Sequence, residues 1–468
     1  MLSRLRTFRT QLALVALGAF GVRVWAVLSW GQKLDPAGDQ LFYTAQAQAL
    51  GRGQGFVYLN SYGERVATAV HPPLHSAYLA LIRIIPFDGS NYTPYRLWCC
   101  VLGTGAVVLV GLAARRVAGP RAGIIAALFA AVYPNLWIND VLMLSESMFS
   151  LTIALVLYAS ALLWDEPTPR AAVLLGVSVA LAALSRAEAQ LLLLLLVVPL
   201  AYFLRGLTLR ERAARGGIAI LAALVVMAPW MVRNFFTFSG HPLGVSTASG
   251  FVVEISNCDQ TYGIAAPLGP DGQPSPDADA DTFLGYWAQE CDRTPWPAGD
   301  ETVVNAAKQK AGVDYILAHR SEFPVVVAAR VGRIWDVWRP GQSYDFNRFF
   351  ERRGDWPTIG GMAMYYPLLI ASVAGLVVLR RRRQTLVPYL AIFAVTTLTA
   401  AISFGITRYR VGADVALTVL AAVAVDAALR HWWPVPDGDP VPAHVDDGPV
   451  GDRSLGPSAD VTPAGALA

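Results

Sequence analysis

The chain has 468 residues, of which 54% are hydrophobic and 15% are charged, and its mean hydropathy is +0.43. Soluble domains average about 25% charged residues, so this composition excludes a cytosolic enzyme, a small disulfide-rich protein and a disordered chain. The net charge of +3 excludes little, because the location of Arg and Lys matters more in membrane proteins. The sequence therefore predicts an all-α polytopic membrane protein: a transporter, a channel, a receptor or a membrane-embedded enzyme.

Hydrophobic stretches along the chain predict about ten transmembrane helices. Crossing about 30 Å of hydrocarbon takes about 20 mostly apolar residues, or slightly fewer where the bilayer is thin. The fifth stretch is short, so its boundaries are the least secure. The predicted spans are Gln11 to Trp30, Tyr95 to Leu112, Gly123 to Ile138, Ser147 to Trp164, Ala171 to Leu184, Ala189 to Leu204, Gly217 to Val232, Gly361 to Leu379, Leu386 to Phe404, and Ala413 to Leu429.

Basic residues predict the orientation of these spans in the plasma membrane. The first span follows Arg4, Arg6 and Arg9, and it lacks the small-residue cleavage site of a signal peptide. Placing the N-terminus in the cytoplasm puts the arginine-rich connections on the same side, as the positive-inside rule requires. These connections carry Arg115, Arg116, Arg121, Arg170, Arg205, Arg210, Arg212, Arg215 and Arg380 to Arg383.

Residues 1–430 are therefore predicted to form one membrane-embedded domain, and residues 431–468 a disordered cytoplasmic tail rich in Pro, Asp and Gly. Two extracytoplasmic loops, 31–94 and 233–360, are too long to be simple connectors and too aromatic for disorder. The second loop contains two stretches with amphipathic patterning, Val303 to Leu317 and Phe323 to Trp338. The active site is expected on this extracytoplasmic side.

The chain has four cysteines. Cys258 and Cys291 lie in the second loop, where an oxidising compartment favours a disulfide; two free thiols are the alternative, because spacing alone establishes no bridge. Cys99 and Cys100 are adjacent within a span and fit as small packing residues. No metal-ligand spacing and no glycine-rich phosphate loop occurs in the sequence.

Three polar residues stand out near the predicted outer surface. Asp39 is placed to act as the N-cap of a short helix, a role compatible with catalysis because a cap holds its carboxylate rigidly. His71 precedes a Pro-Pro pair that marks a helix start. Glu146 opens the fourth span, with Ser145 as its expected N-cap, and an ionisable residue at that depth marks a functional site by default.

Four arginines are predicted at the outer ends of spans, where the positive-inside rule depletes basic residues. Singly, each fits a side chain that extends to the lipid headgroups. Together with Arg23 in the first span they indicate an anionic ligand. The four are Arg186, Arg233, Arg408 and Arg410.

The order of these motifs resembles that of the lipid-dependent glycosyltransferases of the GT-C superfamily, in particular the protein O-mannosyltransferase and aminoarabinose-transferase branch. Roughly the first 190 residues look like the shared core of that family, and the later segments match less well. The motifs that carry the resemblance are Gly38-Asp39-Gln-Leu-Phe-Tyr43, His71-Pro-Pro-Leu74, Ser145-Glu146 and Leu184-Ser-Arg-Ala-Glu188, with weaker similarity in Pro229-Trp-Met-Val-Arg-Asn234 and Thr407-Arg-Tyr-Arg410.

The resemblance implies a sugar donor carried on a polyprenyl phosphate and transfer with inversion at the anomeric carbon. Asp39 would then be the general base, and Glu146 a second acidic residue that shapes a substrate pocket. His71 would lie near the donor phosphate together with Arg186, Arg233, Arg408 and Arg410. Branches of the family with Lys before Pro-Pro-Leu keep a permanent charge there, whereas His71 is cationic only when protonated.

The implied partners are a polyprenyl-phosphate sugar, the bilayer and an acceptor glycan, lipid or protein; no nucleic acid is expected. A phosphate monoester leaves without a general acid when arginines neutralise its charge, so neither a cofactor nor a divalent metal is required. Mannose and arabinose both remain open. The rival classes are a transporter or lipid flippase, which would place its site near the bilayer midplane, and an outer-leaflet polysaccharide ligase or polymerase.

Overall fold

The computed structural model describes residues 7–59, 63–82, 91–266, 268, 273, 279–294 and 299–432. In these ranges the chain consists of α-helices joined by loops, with one two-stranded β-hairpin. The predicted all-α class is therefore confirmed. Arg4, Arg6 and the tail from residue 433 onward lie outside the described residues.

The elements of the first half are α1 (Phe8–Ser29), α2 (Asp39–Gly51), β1 (Val57–Leu59), β2 (Arg65–Ala67), α3 (Leu74–Leu81), α4 (Thr93–Ala118), α5 (Pro120–Val132), α6 (Pro134–Val141), α7 (Ser145–Asp165), α8 (Pro169–Ser185) and α9 (Val198–Tyr202). The second half contains α10 (Leu209–Thr237), α11 (Ser249–Ile255), α12 (Glu301–Ala318), α13 (Phe323–Ile334), α14 (Pro340–Phe349), α15 (Asp355–Arg381), α16 (Val387–Ile402) and α17 (Val411–Trp432). A 3₁₀ turn and a π-helical turn connect α8 to α9.

The described residues contain six helices that are long and apolar enough to cross a membrane: α1, α4, α7, α10, α15 and α17. Helices α5 and α6 together form a seventh candidate, bent by 50°, because Tyr133 is held extended by the proline that follows it. Three predicted spans correspond to shorter apolar helices, namely α8, residues 187–202 and α16. A multi-pass membrane protein is thus confirmed, but length and composition do not support a count of ten.

Small residues allow the helices to pack closely. A Cβ atom added at Gly176 in α8 would overlap the backbone of Ala219 in α10, and one at Gly375 in α15 would overlap the backbone of Leu420 in α17. Alanines fill much of the buried core that α4, α5, α7, α8 and α17 share. Since lipid tails are as apolar as the side chains, such close backbone approach is a main source of helix association in membranes.

The two amphipathic stretches of the second long loop are helical, as α12 (Glu301–Ala318) and α13 (Phe323–Ile334). Cys258 and Cys291, for which the sequence left two states open, form a disulfide. The bond joins the turn after α11 to the 3₁₀ turn Gln289–Cys291. Cys99 and Cys100 are free and buried, as packing residues would be.

Candidate active site

Asp39 is the first residue of α2 and not its N-cap. Gly38 occupies the cap with φ +52, a conformation that glycine adopts at little steric cost. The expected N-cap role was wrong by one position, and the correction has a chemical consequence. A capping carboxylate is directed at its own helix backbone, whereas the Asp39 carboxylate contacts the side chains of Arg408 and His71.

The predicted N-cap of α7, Ser145, was also wrong by one position. Leu144 is its N-cap and Ser145 its first residue, with no side-chain cap hydrogen bond. The Ser145 hydroxyl is therefore available to the site. Arg186 takes an extended conformation between the end of α8 and the 3₁₀ turn that follows, so the helical hydrogen-bond pattern is interrupted where its side chain leaves the backbone.

Asp39 contacts two basic side chains. Arg408 donates from Nη2 to Oδ2 of Asp39 at 2.6 Å, although the two residues are 369 positions apart. Nε2 of His71 lies 3.6 Å from Oδ1 of Asp39. Burial alone would raise the pKa of Asp39, but the charge of Arg408 and the contact with His71 outweigh it and hold that pKa well below its usual range. The carboxylate therefore stays ionised at neutral and mildly acidic pH.

A chain of polar contacts connects Asp39 to Glu146 through His71, Tyr43 and Ser145. Nδ1 of His71 is 3.3 Å from the hydroxyl of Tyr43, which donates to Ser145 at 3.1 Å, and Ser145 donates to Glu146 at 3.3 Å. Burial raises the pKa of Tyr43 well above its usual value, so its hydroxyl keeps its proton. Because that proton is directed to Ser145, the bond to His71 requires a proton on Nδ1; a protonated ring satisfies both contacts of His71.

Glu146 is the most enclosed carboxylate of the site. Its side chain is 1% exposed, and it accepts from Nη1 of Arg186 at 2.6 Å. Nε of Arg186 in turn donates to Glu188 at 2.5 Å, and its guanidinium lies over the ring of Tyr409 at 4.3 Å from the centroid. Two carboxylates and an aromatic face thus fix the orientation of this arginine.

Arg408 connects the elements of the site. Besides its bond to Asp39, its Nε lies 3.6 Å from Glu146 and its Nη1 lies 3.5 Å from Glu351. These three carboxylates come from α2, α7 and the segment that follows α14. One guanidinium therefore bridges three distant parts of the chain, as its planar fork of donors permits.

Two cavities of about 430 Å³ each meet at this cluster, and both are lined by Asp39, His71, Arg408 and Tyr409. What we call the helix-side cavity is also lined by Ser185 to Glu188, Gln190, Leu191, Thr399, Ile402 and Ser403. What we call the loop-side cavity is also lined by Phe251, Trp287, Gln289, Phe350, Glu351 and Arg352. A ligand in either cavity would reach the Asp39 carboxylate.

Two of the predicted phosphate-binding arginines line neither cavity. Arg233 donates to the backbone carbonyls of Thr68 at 3.0 Å and Phe56 at 3.1 Å, and so holds the β-hairpin against α10. Arg410 is fully buried between Asp336 at 2.7 Å and Asp414 at 3.1 Å. The structure brings together His71, Arg186 and Arg408 of the predicted phosphate-binding set, and it places these two elsewhere.

Some residues of the cluster had no predicted role. Tyr43 lies four positions after Asp39, a spacing that puts both on one helix face, so the pattern for it was present. Glu188 is the last residue of the Leu184-Ser-Arg-Ala-Glu188 motif, so its position was marked in the sequence but its role was not. Glu351 and Tyr409 carry no comparable local signal, because the chain brings them to Asp39 only through folding.

Comparisons with known proteins gave one family-model match and several structural matches. Residues 70–232 match the family model described as dolichyl-phosphate-mannose-protein mannosyltransferase, which is about a third of the chain. The matched region contains His71, Glu146 and Arg186, whereas Asp39 and Arg408 lie outside it. A comparison with curated protein sequences gave no significant match.

The fold is similar to that of the Archaeoglobus fulgidus oligosaccharyltransferase. Its apo crystal structure matches with a TM-score of 0.51 and 14% identity over 91% of this chain and 51% of that chain. Its complex with Zn and sulfate matches with a TM-score of 0.52 and 14% identity, over 90% and 49%. The chain thus spans about half the length of these archaeal chains.

A further match is ArnT from Cupriavidus metallidurans, crystallised with undecaprenyl phosphate, with a TM-score of 0.39 and 16% identity over 90% of this chain and 78% of that chain. The resemblance predicted from the sequence rests on motifs in the first 190 residues, and most of the family-model match falls there. The predicted resemblance to lipid-dependent glycosyltransferases of the GT-C superfamily is therefore confirmed.

Proposed function

We propose that this protein is a membrane glycosyltransferase that transfers a sugar from a polyprenyl-phosphate donor to an acceptor hydroxyl at the extracytoplasmic face. Transfer proceeds with inversion, and Asp39 is the general base. The observation that carries the proposal is the location of Asp39, whose carboxylate lies where two cavities meet and within 2.6 Å of Arg408. A reaction between two substrates needs such a junction, with a base that reaches both.

The helix-side cavity suits the donor. Part of its wall is apolar, with Ala187, Leu191, Val252 and Ile402 among the lining residues, and these side chains would give a polyprenyl chain apolar contacts beside the site. Arg186 and Arg408 line the same cavity and supply donors for a phosphate. The matching family model is named for a dolichyl-phosphate mannose, a donor of this kind. Whether this chain uses a hexose or a pentose stays open.

The loop-side cavity suits the acceptor. Its walls come from α11, the segment around Trp287 and Gln289, and residues 350–352, all within the long segment between α10 and α15. Aromatic side chains combined with an amide and charged groups are typical of sites that orient a polar ligand. An acceptor glycan, lipid or protein that enters here would present its hydroxyl to Asp39.

The proposed chemistry needs a single base. The acceptor oxygen attacks the anomeric carbon from the side opposite the phosphate, and its proton passes to Asp39. The bond between the anomeric carbon and the phosphate oxygen breaks, and its electron pair leaves with the polyprenyl phosphate. Arg186, Arg408 and protonated His71 stabilise the charge that develops on the leaving oxygen. No step of this scheme uses a metal ion.

Donor turnover by purified protein tests the proposal. The protein would be incubated with a panel of undecaprenyl-phosphate sugars and candidate acceptors, and both donor loss and the anomeric configuration of the product would be followed. We expect one donor to be consumed with inversion, and Asp39→Asn to lower the rate by about 10²–10⁴-fold, the usual contribution of a general base.

Asp35→Asn is the matched control, because Asp35 belongs to the same loop, is exposed and lines neither cavity. Its rate should equal that of the unmodified protein. Equal turnover by Asp39→Asn would remove Asp39 as the base. Consumption of no donor at all would favour the transporter or flippase interpretation, and use of a lipid-diphosphate donor would favour the ligase or polymerase interpretation.

A further inference from the structure

The guanidiniums that line the helix-side cavity are already neutralised by carboxylates. Arg186 is paired with Glu146 and with Glu188. Arg408 is paired with Asp39 at 2.6 Å and lies within 3.6 Å of Glu146. A fourth carboxylate, Glu351, is 3.5 Å from Arg408. A third guanidinium, that of Arg353, is buried beside Glu351 and Glu146. Four carboxylates therefore share three guanidiniums, and the cluster has no surplus positive charge with which to bind a phosphate.

A phosphate that enters this cavity must therefore take a guanidinium from one of the carboxylates, since uncompensated negative charge is costly in a partly dry site. Glu146 is 1% exposed and bound by Ser145 as well as by Arg186, so separation from Arg186 would leave a buried charge whose remaining contact with Arg408 is 3.6 Å long. Glu351 is 6% exposed and is therefore also buried.

Asp39 is different from these two carboxylates. Its side chain is 30% exposed, it lies in the first turn of α2, and it has a second cationic neighbour when His71 is protonated, at 3.6 Å. The positive end of the α2 helix dipole also stabilises its charge at this position. Asp39 is thus the carboxylate whose charge is least destabilised when Arg408 turns to another anion.

We propose that the donor phosphate and Asp39 compete for Arg408, so that donor binding exchanges the Arg408–Asp39 ion pair for an Arg408–phosphate pair and releases the Asp39 carboxylate toward the acceptor. This inference rests on the proposed function, because it assigns a role to the same site. It makes Arg408 a coupling residue: without donor, the base is held in an ion pair.

The exchange has a consequence for the order of events. Burial raises the pKa of Asp39, and Arg408 is the foremost neighbour that lowers it, so the loss of Arg408 moves that pKa upward and makes the carboxylate a better base. Acceptor activation then follows donor binding.

Equilibrium binding of undecaprenyl phosphate without a sugar tests the competition. If Asp39 competes with the phosphate, removal of its charge must strengthen binding, and we expect Asp39→Asn to lower Kd about tenfold, which corresponds to about 1.4 kcal/mol. Asp39→Ala removes the same charge without adding an amide and must show the same gain. Asp35→Asn is the control and should leave Kd unchanged. With Arg408→Gln present, Asp39→Asn should produce no gain.

Kd values in Asp39→Asn and Asp39→Ala that equal or exceed that of the unmodified protein would overturn the exchange. A damaged fold cannot imitate the expected result, because damage weakens binding. The test is also separate from that of the proposed function. If Asp39→Asn binds undecaprenyl phosphate with unchanged Kd but turns over slowly, Asp39 is the base and the exchange is wrong. If it binds more tightly but turns over at the normal rate, the competition for Arg408 stands and Asp39 is not the base.

Discussion

Replacing Arg408 by Lys tests whether the guanidinium fork, and not merely a positive charge, organises the site. The three nitrogens of Arg408 lie 2.6, 3.5 and 3.6 Å from three carboxylates. A lysine ammonium is a single point charge on a flexible stem and cannot reach all three. Arg408→Lys therefore keeps the charge but loses at least one charge-assisted contact.

The expected size of the effect follows from the paired hydrogen bonds that a guanidinium makes to a phosphate and an ammonium cannot. A hydrogen bond to a charged group contributes about 1.5–3 kcal/mol, and each 1.36 kcal/mol of transition-state stabilisation is tenfold in rate. Arg408→Lys should therefore lower kcat/KM for the donor by about 10- to 100-fold. Arg408→Gln also removes the charge beside Asp39 and Glu146 and should be at least tenfold worse again, because a buried carboxylate then loses a cationic partner.

Steady-state kinetics with the donor identified by the panel would measure both variants. Arg320→Lys is the matched control, since Arg320 is exposed, lines neither cavity, and donates from Nε to the backbone carbonyl of Leu317 at 2.8 Å. It should keep kcat/KM for the donor. Donor kinetics of Arg408→Lys equal to those of the unmodified protein would refute the idea that the fork matters, and equal defects in Lys and Gln variants would refute the importance of the charge.

Two further predictions concern stability. Burial lowers the pKa of His75 to about 4, against the opposing hydrogen bond to the Met143 carbonyl, so the unfolded chain binds this proton between pH about 6.5 and 4 while the folded protein does not. The free energy of unfolding is then constant above this window and falls by about 3 kcal/mol as the pH decreases across it. His75→Gln should make Tm decline less steeply with acidification. An unchanged dependence of Tm on pH would contradict the assignment to His75. Between α1 and α6, Arg23 and Asp140 form an ion pair at 2.8 Å, each side chain 1% exposed. Arg23→Leu or Asp140→Leu alone should cost about 3–5 kcal/mol, and the double variant should cost clearly less than the two single losses together in thermal unfolding; additive losses would contradict a coupled pair.

Features of the fold that depend on local pattern could be predicted from the sequence. Hydropathy identified the long spans, and amphipathic spacing identified α12 and α13. The number of spans was harder, because α8 and α16 have 17 and 16 residues and a membrane crossing cannot be inferred from their length. The bend between α5 and α6 lies at Pro134, and hydropathy alone does not indicate a bend.

The site could be predicted only in part. Asp39, His71, Glu146 and Arg186 stand in ordered motifs, and the structure brings them together. The pairing of Asp39 with Arg408 spans 369 positions, and no local pattern encodes such a contact.

Arg408 and Arg410 show why a cluster of arginines in sequence misleads. They are two positions apart on one 3₁₀ turn, so their side chains leave the backbone in different directions. One enters the cavities and the other enters a buried network with Asp336 and Asp414. Arg233, at the end of a span, binds backbone carbonyls of the hairpin segment. A basic residue near the membrane surface thus has roles other than ligand binding, and only contacts separate them.

The rate of sugar transfer in a single turnover, with the donor saturating and the acceptor added last, tests the central role of Asp39 most directly. When the donor is saturating, a change in donor affinity does not affect the observed rate, which then reports the chemical step. The account predicts that Asp39→Asn slows this step by about 10²–10⁴-fold, while Asp35→Asn leaves it unchanged. Transfer at the normal rate by Asp39→Asn with bound donor would contradict the account.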